Sequence, residues 1–176
     1  MKSIRDIYKI GKGPSSSHTM GPERAAKLFL SEHPEADRIQ VILYGSLSKT
    51  GVGHGTDRVL REVLSSVDNK IIYAQEDPED MGHPNTMDFF AYQGETQTGH
   101  FRVESVGGGD IVILGRPADP NEEIYPENSF AEIADFCKWR YIHTLSEYVE
   151  MNEGPEIWDF LREVWAAMQR SISDGL

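Results

Sequence analysis

The spacing of apolar and polar positions predicts helices and strands in a mixed order along the chain. Apolar residues recur at helical spacing in residues 23–31 and again in residues 57–67. Between these predicted helices, residues 38–47 form an almost continuous run of β-branched and other apolar side chains, which is typical of a central strand. We therefore predict helix, strand, turn and helix for the first part of the chain, after an extended lead-in over residues 2–10.

The second half of the chain predicts more strands and two helices. Short runs that favour strands occupy residues 70–75, 86–92, 99–106 and 111–114. Ser129 and Glu132 have capping-box spacing, so a helix is expected from there to about residue 150. A last helix is expected to bury one apolar face, which comprises Ile157, Leu161, Val164, Trp165, Met168 and Ile172. The predicted fold class is α+β, with one mixed or antiparallel sheet of about four to five strands covered by helices.

Charge and composition narrow the classes of partner. Among 176 residues, 29 are acidic and 17 are basic, which gives a net charge of −12. Such a field repels nucleic acid and anionic membranes. No apolar run approaches the roughly 20 residues of a membrane span, and the N-terminus lacks the apolar block of a secretory signal. Cys137 is the only cysteine, so this chain alone cannot build an iron–sulfur cluster, and we expect a reducing, cytoplasmic location.

The densest chemistry lies in residues 11–22, which read GKGPSSSHTMGP. Glycines and prolines surround three serines, His18 and Thr19, so a loop with a fixed path is expected. Its hydroxyls and backbone N–H groups are donors that can converge on a carboxylate or phosphate, with His18 placed for proton transfer. A flexible Ser-rich turn without function is the alternative that composition leaves open.

A second glycine-dense stretch, residues 49–57, is predicted as a turn between a strand and a helix, and it contains His54. His18, His54 and His83 do not have the i, i+4 spacing of common helical zinc motifs, so they indicate proton transfer better than metal binding. Ser46 and Lys49 match the S-x-x-K pattern of acylating serine enzymes. No helix is predicted there, so we give that match little weight.

Four motifs together resemble one family over nearly the whole chain. They are GPSSSHTMGP at residues 13–22, YGSLSKTGVGHGTD at 44–57, HPNTM at 83–87 and SVGGGDI at 105–111. The chain resembles the β domain of the iron–sulfur-dependent L-serine dehydratases. The resemblance implies a lyase that converts L-serine to pyruvate and ammonia, together with an α domain whose cysteines hold a 4Fe–4S cluster. It also implies similarity to the allosteric substrate-binding domain of phosphoglycerate dehydrogenases.

The same resemblance assigns roles to particular residues. It implies that His18 and His54 are the proton-transfer pair, with His54 the preferred base. It further implies that the substrate is contacted by Ser15, Ser16, Ser17, Thr19 and Asn85. No metal ligand is expected in this chain, because the cluster belongs to the α domain.

The closing residues resemble the junction into the α domain, so we divide the chain into a β domain over residues 1–150 and the start of a junction over residues 151–176. A fragment of a longer polypeptide is expected, with a separate β subunit as the alternative. We expect a homo-oligomer that is inactive as this chain alone. The competing functional interpretation is a non-catalytic regulatory domain that binds serine or a similar small anion.

Overall fold

The computed structural model describes residues 1–117 and 123–176 of the protein, and the chain divides into two compact units. One unit is Gly11–Ala118, and the other combines Met1–Ile10 with Asp119–Leu176. The first unit holds the sheet and every residue that the sequence indicates as part of a site. The expected division between residues 150 and 151 stays a prediction.

A five-stranded mixed sheet forms the centre of the unit Gly11–Ala118. Its strands are β1 Arg38–Leu43, β2 Asp68–Tyr73, β3 Thr86–Gln93, β4 Thr96–Gly107 and β5 Asp110–Ile113. Their order is β2-β1-β3-β4-β5, with β1 and β2 parallel and the other neighbours antiparallel. The predicted α+β class with one mixed sheet is therefore confirmed. The likeness to the phosphoglycerate dehydrogenase domain stays a prediction.

Seven α-helices lie within the described residues. They are α1 Ile4–Ile7, α2 Gly21–Glu32, α3 Gly45–His54, α4 Thr56–Val63, α5 Phe130–Arg140, α6 Leu145–Glu153 and α7 Ile157–Gly175. A single π-helical turn, Ser16–Met20, leads directly into α2. The residues of β1 alternate between buried and half-buried, as expected for a strand with one face in the core.

The core of this unit lies between the sheet and helices α2, α3 and α4. Phe29 of α2, Phe89 of β3 and Phe101 of β4 meet there, with ring centroids 4.7 to 5.4 Å apart. Leu47 of α3 and Leu60 of α4 are fully buried in the same cluster. Burial of these side chains fixes the helices on the sheet, at about 25 cal/mol for each Å² of apolar surface removed from water.

Helix α3 corrects two expectations from the sequence. The predicted strand over residues 38–47 ends at Leu43, and the predicted turn over residues 49–57 is largely helix. The glycines permit this helix instead of breaking it. Gly45 starts it with φ +52°, and a side chain at Gly51 would crowd the Thr56 hydroxyl at 3.2 Å. Close packing therefore overrides the low helix propensity of this segment.

The second unit also departs from the periodicity of the sequence. The expected extended lead-in contains the short helix α1, which Ser3 caps by accepting a hydrogen bond from the Arg5 amide. The predicted helix over residues 129–150 is two helices, because Tyr141 takes a left-handed conformation with φ 56°. The Ser129 cap of α5 is confirmed. The predicted apolar face of α7 is buried only in part: Ile157 and Val164 are buried, whereas Trp165, Met168 and Ile172 are exposed.

Asp88, a buried carboxylate of β3, connects this strand to β4 and to the residue before α3 through hydrogen bonds. Arg102 of β4 donates to both of its oxygens at 2.9 Å, and the Tyr44 hydroxyl donates at 3.0 Å. Burial alone would raise the pKa of Asp88, but the hydrogen bonds and positive charge of Arg102 outweigh burial and lower it. Tyr44 immediately precedes α3, so this network fixes the point where the chain leaves the sheet.

Candidate active site

Residues 15–20, here called the Ser-rich turn, form a tight turn that is held by hydrogen bonds of its own hydroxyl groups. Part of the loop expected over residues 11–22 is the π-helical turn Ser16–Met20. The Ser15 hydroxyl accepts from the His18 amide at 3.3 Å, which caps the turn. The buried Thr19 hydroxyl donates to the Lys12 carbonyl at 2.8 Å and also lies against the Ser15 carbonyl. The path of the chain here is therefore fixed by local hydrogen bonds.

The backbone of this turn is also attached to helix α4. Thr56, the first residue of α4, is fully buried and donates its hydroxyl proton to the His18 carbonyl at 2.6 Å. Gly21, which follows the turn, packs against β4 so closely that an added side chain would lie 2.0 Å from the Ser105 hydroxyl. The turn is thus held between a helix and the sheet.

His18 is buried, and both nitrogens of its ring face hydroxyl groups. Nδ1 lies 3.0 Å from the Ser17 hydroxyl and 3.4 Å from the Ser15 hydroxyl. Nε2 lies 3.1 Å from the Ser46 hydroxyl and 3.1 Å from the Thr50 hydroxyl. Four hydroxyl groups therefore surround one imidazole.

His54 is the second histidine of the site. Its ring centroid lies 4.7 Å from that of His18, with the two planes tilted by 36°. Its Nδ1 lies 3.0 Å from the Thr50 carbonyl oxygen. A carbonyl oxygen only accepts hydrogen bonds, so Nδ1 carries the proton and Nε2 keeps its lone pair when the ring is neutral.

Helix α3 supplies its side of the site from one face. Ser46, Thr50 and His54 are separated by four residues each, so they lie above one another on the helix. His54 is the last residue of α3, before Gly55 in the left-handed conformation. The expected position of His54 in a turn is therefore corrected to a helix C-terminus.

The environment lowers the basicity of His18. Burial is the largest cause of its lowered pKa, and the neighbouring charge of His54 acts in the same direction, whereas the Ser46 backbone opposes them. His18 is consequently neutral over more of the physiological pH range than a free histidine. A neutral imidazole can accept a proton at one ring nitrogen and donate a proton from the other.

The remaining predicted residues, Ser16, Thr19 and Asn85, make no side-chain hydrogen bond to either histidine ring within the described part of the chain. The Ser16 hydroxyl has no hydrogen-bond partner among the described residues, so it is available to a ligand. Asn85 follows Pro84, whose carbonyl accepts a hydrogen bond from the Ser46 amide of α3 at 2.7 Å. The buried Oδ1 of Asn85 also has no partner within the described part of the chain. The proton-transfer roles of the two histidines and every expected substrate contact stay predictions, the latter at Ser15, Ser16, Ser17, Thr19 and Asn85.

The S-x-x-K match does lie on a helix, contrary to the expectation from sequence. Its lysine, however, points elsewhere: the Lys49 ammonium lies 3.7 Å from an Asp77 carboxylate oxygen. The Ser46 hydroxyl faces His18. The geometry therefore places Ser46 with the histidine pair and gives Lys49 no contact with it.

Comparison with known proteins agrees with the four motifs. A family model described as "Serine dehydratase beta chain" matches residues 3–69. "L-serine dehydratase TdcG" of Escherichia coli is 52% identical over an alignment that covers 100% of this chain and 49% of the relative. "L-serine dehydratase" of Streptomyces coelicolor is 45% identical, with 99% of this chain and 50% of the relative covered. "L-serine dehydratase 1" of Escherichia coli is 31% identical, with coverage of 100% and 49%.

The chain belongs to the serine dehydratase beta chain family. The resemblance inferred from the motifs is therefore confirmed. The family match spans the Ser-rich turn and helix α3, and so includes both His18 and His54. The chain spans about half the length of the curated relatives that it matches.

The described residues of this serine dehydratase beta chain contain no group suited to a metal centre. No cluster of three or more His, Cys, Asp or Glu side chains in residues 1–117 and 123–176 is placed to hold a metal ion. Cys137 is half-buried and is the only cysteine of the sequence. Iron–sulfur clusters are held by several thiolates. The residues present in this chain therefore do not fit a 4Fe–4S cluster.

Nothing in the sequence places Thr50 at the site, and the sequence indicates Ser46 only as part of the S-x-x-K match. Their four-residue spacing from each other and from His54 was the available signal, but it has meaning only on a helix. The glycines of residues 45–55 favour a turn by composition, which concealed that spacing.

Among the described helices, none is long and apolar enough to cross a membrane.

Proposed function

We propose that this chain is the β portion of an L-serine dehydratase. It would act with an α domain, the two together deaminating L-serine to pyruvate and ammonia. The relatives that bear the name L-serine dehydratase are about twice as long as the aligned chain, which leaves room in them for a second domain. A 4Fe–4S cluster, if used, would be held by cysteines of that α domain. A cytoplasmic location and a homo-oligomeric state stay predictions.

The observation that carries the proposal is the pair of histidine rings beside the Ser-rich turn. His18 and His54 lie 4.7 Å apart between ring centroids, and hydroxyls of Ser15, Ser17 and Thr50 surround the buried ring. Histidine is the side chain whose ordinary pKa best suits proton transfer near neutral pH. A domain that only binds a small anion needs the hydroxyl donors but has no need of two adjacent imidazoles.

Each group has a defined part in the proposed reaction. The Ser-rich turn binds the carboxylate of L-serine, with the unpartnered Ser16 hydroxyl as one donor. His54 Nε2, which keeps its lone pair, removes the proton from Cα. The electron pair of the Cα–H bond forms a Cα=Cβ double bond as the hydroxyl group leaves Cβ, and the α domain would supply the group that takes this hydroxyl. The enamine that results tautomerises to an imine, which water hydrolyses to pyruvate and ammonia. Holding the carboxylate fixes the direction of that C–H bond relative to the base. His18 exchanges protons with the hydroxyls around it.

The test is made on the complete enzyme, which is this chain together with its α domain, in the same polypeptide or as a separate subunit. Pyruvate formation from L-serine is measured without oxygen, for wild type, His54→Ala and Ser16→Ala. We expect His54→Ala to lower kcat by about 10²- to 10⁴-fold, the usual contribution of a general base. Ser16→Ala is expected chiefly to raise KM. His143→Ala is the matched control, because His143 is exposed and its side chain makes no hydrogen bond or ion pair within the described residues.

Two results would contradict the proposal. A His54→Ala enzyme with near-normal kcat would remove His54 from the role of base. Absence of activity even with the α domain, combined with saturable serine binding by residues 1–176 in calorimetry, would favour the regulatory interpretation. We expect activity only when the α domain is present.

A further inference from the structure

Thr50 contacts both histidines of the proposed site, through two different groups. Its hydroxyl lies 3.1 Å from Nε2 of His18, and its backbone carbonyl lies 3.0 Å from Nδ1 of His54. No other described residue is hydrogen-bonded to both rings. The side chain of Thr50 is exposed and takes no part in the core, so packing does not explain its position.

The hydroxyl of Thr50 has a defined direction. It lies 2.8 Å from the Ser46 carbonyl oxygen, one turn earlier on α3. That oxygen only accepts, so the single hydroxyl proton of Thr50 points to it. Towards His18 the Thr50 oxygen must then accept, which requires a proton on Nε2 of His18. The opposite nitrogen, Nδ1, is left to accept from the Ser17 hydroxyl at 3.0 Å.

The serine hydroxyls cannot make the same selection. Those of Ser15, Ser17 and Ser46 are each able to donate or accept towards an imidazole nitrogen, so they fit either tautomer of His18. Among the four hydroxyl groups around the His18 ring, only that of Thr50 has its proton assigned by a carbonyl. For His54, the Thr50 carbonyl makes the selection directly and demands a proton on Nδ1.

We propose that Thr50 is a positioning residue that sets opposite tautomers in the two histidines, Nε2–H in His18 and Nδ1–H in His54. The consequence rests on the proposed function: His54 presents Nε2 as a free base, while His18 presents Nδ1 as an acceptor for the serines of the turn. A neutral imidazole fixed in the wrong tautomer has its lone pair on the wrong side of the ring. The hydroxyl of Thr50 therefore acts through His18, and its carbonyl acts through His54.

Nuclear magnetic resonance tests the proposal on residues 1–176 without any requirement for activity. The tautomer of each neutral imidazole is read from the ¹⁵N shifts of its two ring nitrogens, at a pH above the ordinary histidine pKa of about 6.5. The spectra of His18→Gln and His54→Gln samples assign the two rings. In the wild type we expect a protonated Nε2 for His18 and a protonated Nδ1 for His54. If the wild-type spectrum shows the reverse tautomer in His18, that result alone overturns the proposal, before any substitution is made at Thr50.

Two substitutions at Thr50 separate its hydroxyl from its carbonyl. Thr50→Val keeps the shape and the carbonyl but removes the hydroxyl, so the two ¹⁵N resonances of His18 should move towards each other as both tautomers become populated. His54 should keep its Nδ1–H signature in the same sample, as an internal control. Thr50→Ser restores a hydroxyl and should restore the wild-type spectrum of His18. An unchanged His18 spectrum in Thr50→Val would refute the proposal.

Activity of the complete enzyme provides the second arm. Thr50→Val is expected to lower kcat by roughly tenfold, less than loss of a general base, with little change in KM. Thr50→Ser should recover most of kcat, whereas a merely structural role would not depend on the hydroxyl. If the tautomers change as expected and kcat does not, the positioning role in catalysis is refuted although the geometry is confirmed. If the complete wild-type enzyme is inactive, only the proposed function fails and the spectra still decide the tautomers.

Discussion

The buried carboxylate of Asp88 should contribute more to stability than any exposed charge of the same network. Arg102 binds two carboxylates, and these differ in burial. The Asp88 side chain is 3% exposed and the Asp80 side chain is 78% exposed, yet each lies within 2.9 Å of the same guanidinium group. Replacing each by asparagine removes one charge and keeps the shape. The pair is therefore a matched comparison of a buried and an exposed partner.

The expected magnitudes follow from burial. Removing one partner of a buried ion pair costs about 3–5 kcal/mol. The lower end applies to Asp88→Asn, since Arg102 keeps Asp80 and an asparagine oxygen still accepts from Tyr44; we expect a loss of about 3 kcal/mol in the free energy of unfolding. Asp80→Asn should cost about 1 kcal/mol or less, as for other exposed pairs. With a urea m-value of about 2 kcal/mol/M, Asp88→Asn lowers the unfolding midpoint by about 1.5 M.

Urea titrations followed by circular dichroism measure this difference. The lowered pKa of Asp88 adds a test of sign, because a carboxylate with a depressed folded-state pKa stabilises the fold only while it is ionised. The advantage of wild type over Asp88→Asn should be complete above the ordinary Asp pKa of about 3.8 and should disappear as the pH falls through the lower folded value. Equal midpoint shifts for Asp88→Asn and Asp80→Asn would refute the reasoning.

Two further predictions concern helix α3 and its partner histidine. Gly45→Ala should lower the free energy of unfolding by about 2 kcal/mol or more, because φ is +52° and the new Cβ would lie 2.4 Å from the Pro84 carbonyl oxygen. The added Cβ of Gly53→Ala in the same helix meets no atom within 4 Å, so this variant should raise the free energy of unfolding by about 0.5–1 kcal/mol. Thermal unfolding of both variants measures the two changes. An unchanged stability of Gly45→Ala would contradict the prediction for that position. The lowered pKa of His18 predicts that stability falls as the pH drops below the ordinary value of 6.5, since the unfolded chain then binds a proton that the folded state excludes. Urea midpoints measured from about pH 8 to about pH 5 should depend less on pH in His18→Gln, and equal slopes in both proteins would count against a buried neutral His18.

The sequence predicts the helices and strands in which the positions of apolar side chains coincide with the positions that are buried in the structure. β1 and β3 read as strands from their apolar content, and α2 shows its buried face at helical spacing. Helix α3 was missed because Gly45 and Gly51 serve tertiary contacts, which local composition does not show. Burial against Pro84 and Thr56 decides the conformation there, not intrinsic propensity.

For the candidate site, the sequence indicates which residue types are present but not which of them are in contact. The residue types around His18 and His54 indicate proton transfer from sequence alone, and the family motifs contain both residues. That Thr50 and Ser46 would contact His18 depends on how α3 packs beside a turn about 30 positions earlier in the chain. No periodicity along the chain reports such a tertiary contact.

The attachment of the Ser-rich turn to α4 has an entropic consequence. The buried Thr56 hydroxyl holds the His18 carbonyl, while hydroxyls on both sides hold its ring nitrogens. Ordering of an interfacial side chain costs about 0.5–1.5 kcal/mol when it occurs on binding. For His18 this loss of rotamer freedom has already occurred during folding, so a ligand that binds at the turn does not have to order this imidazole.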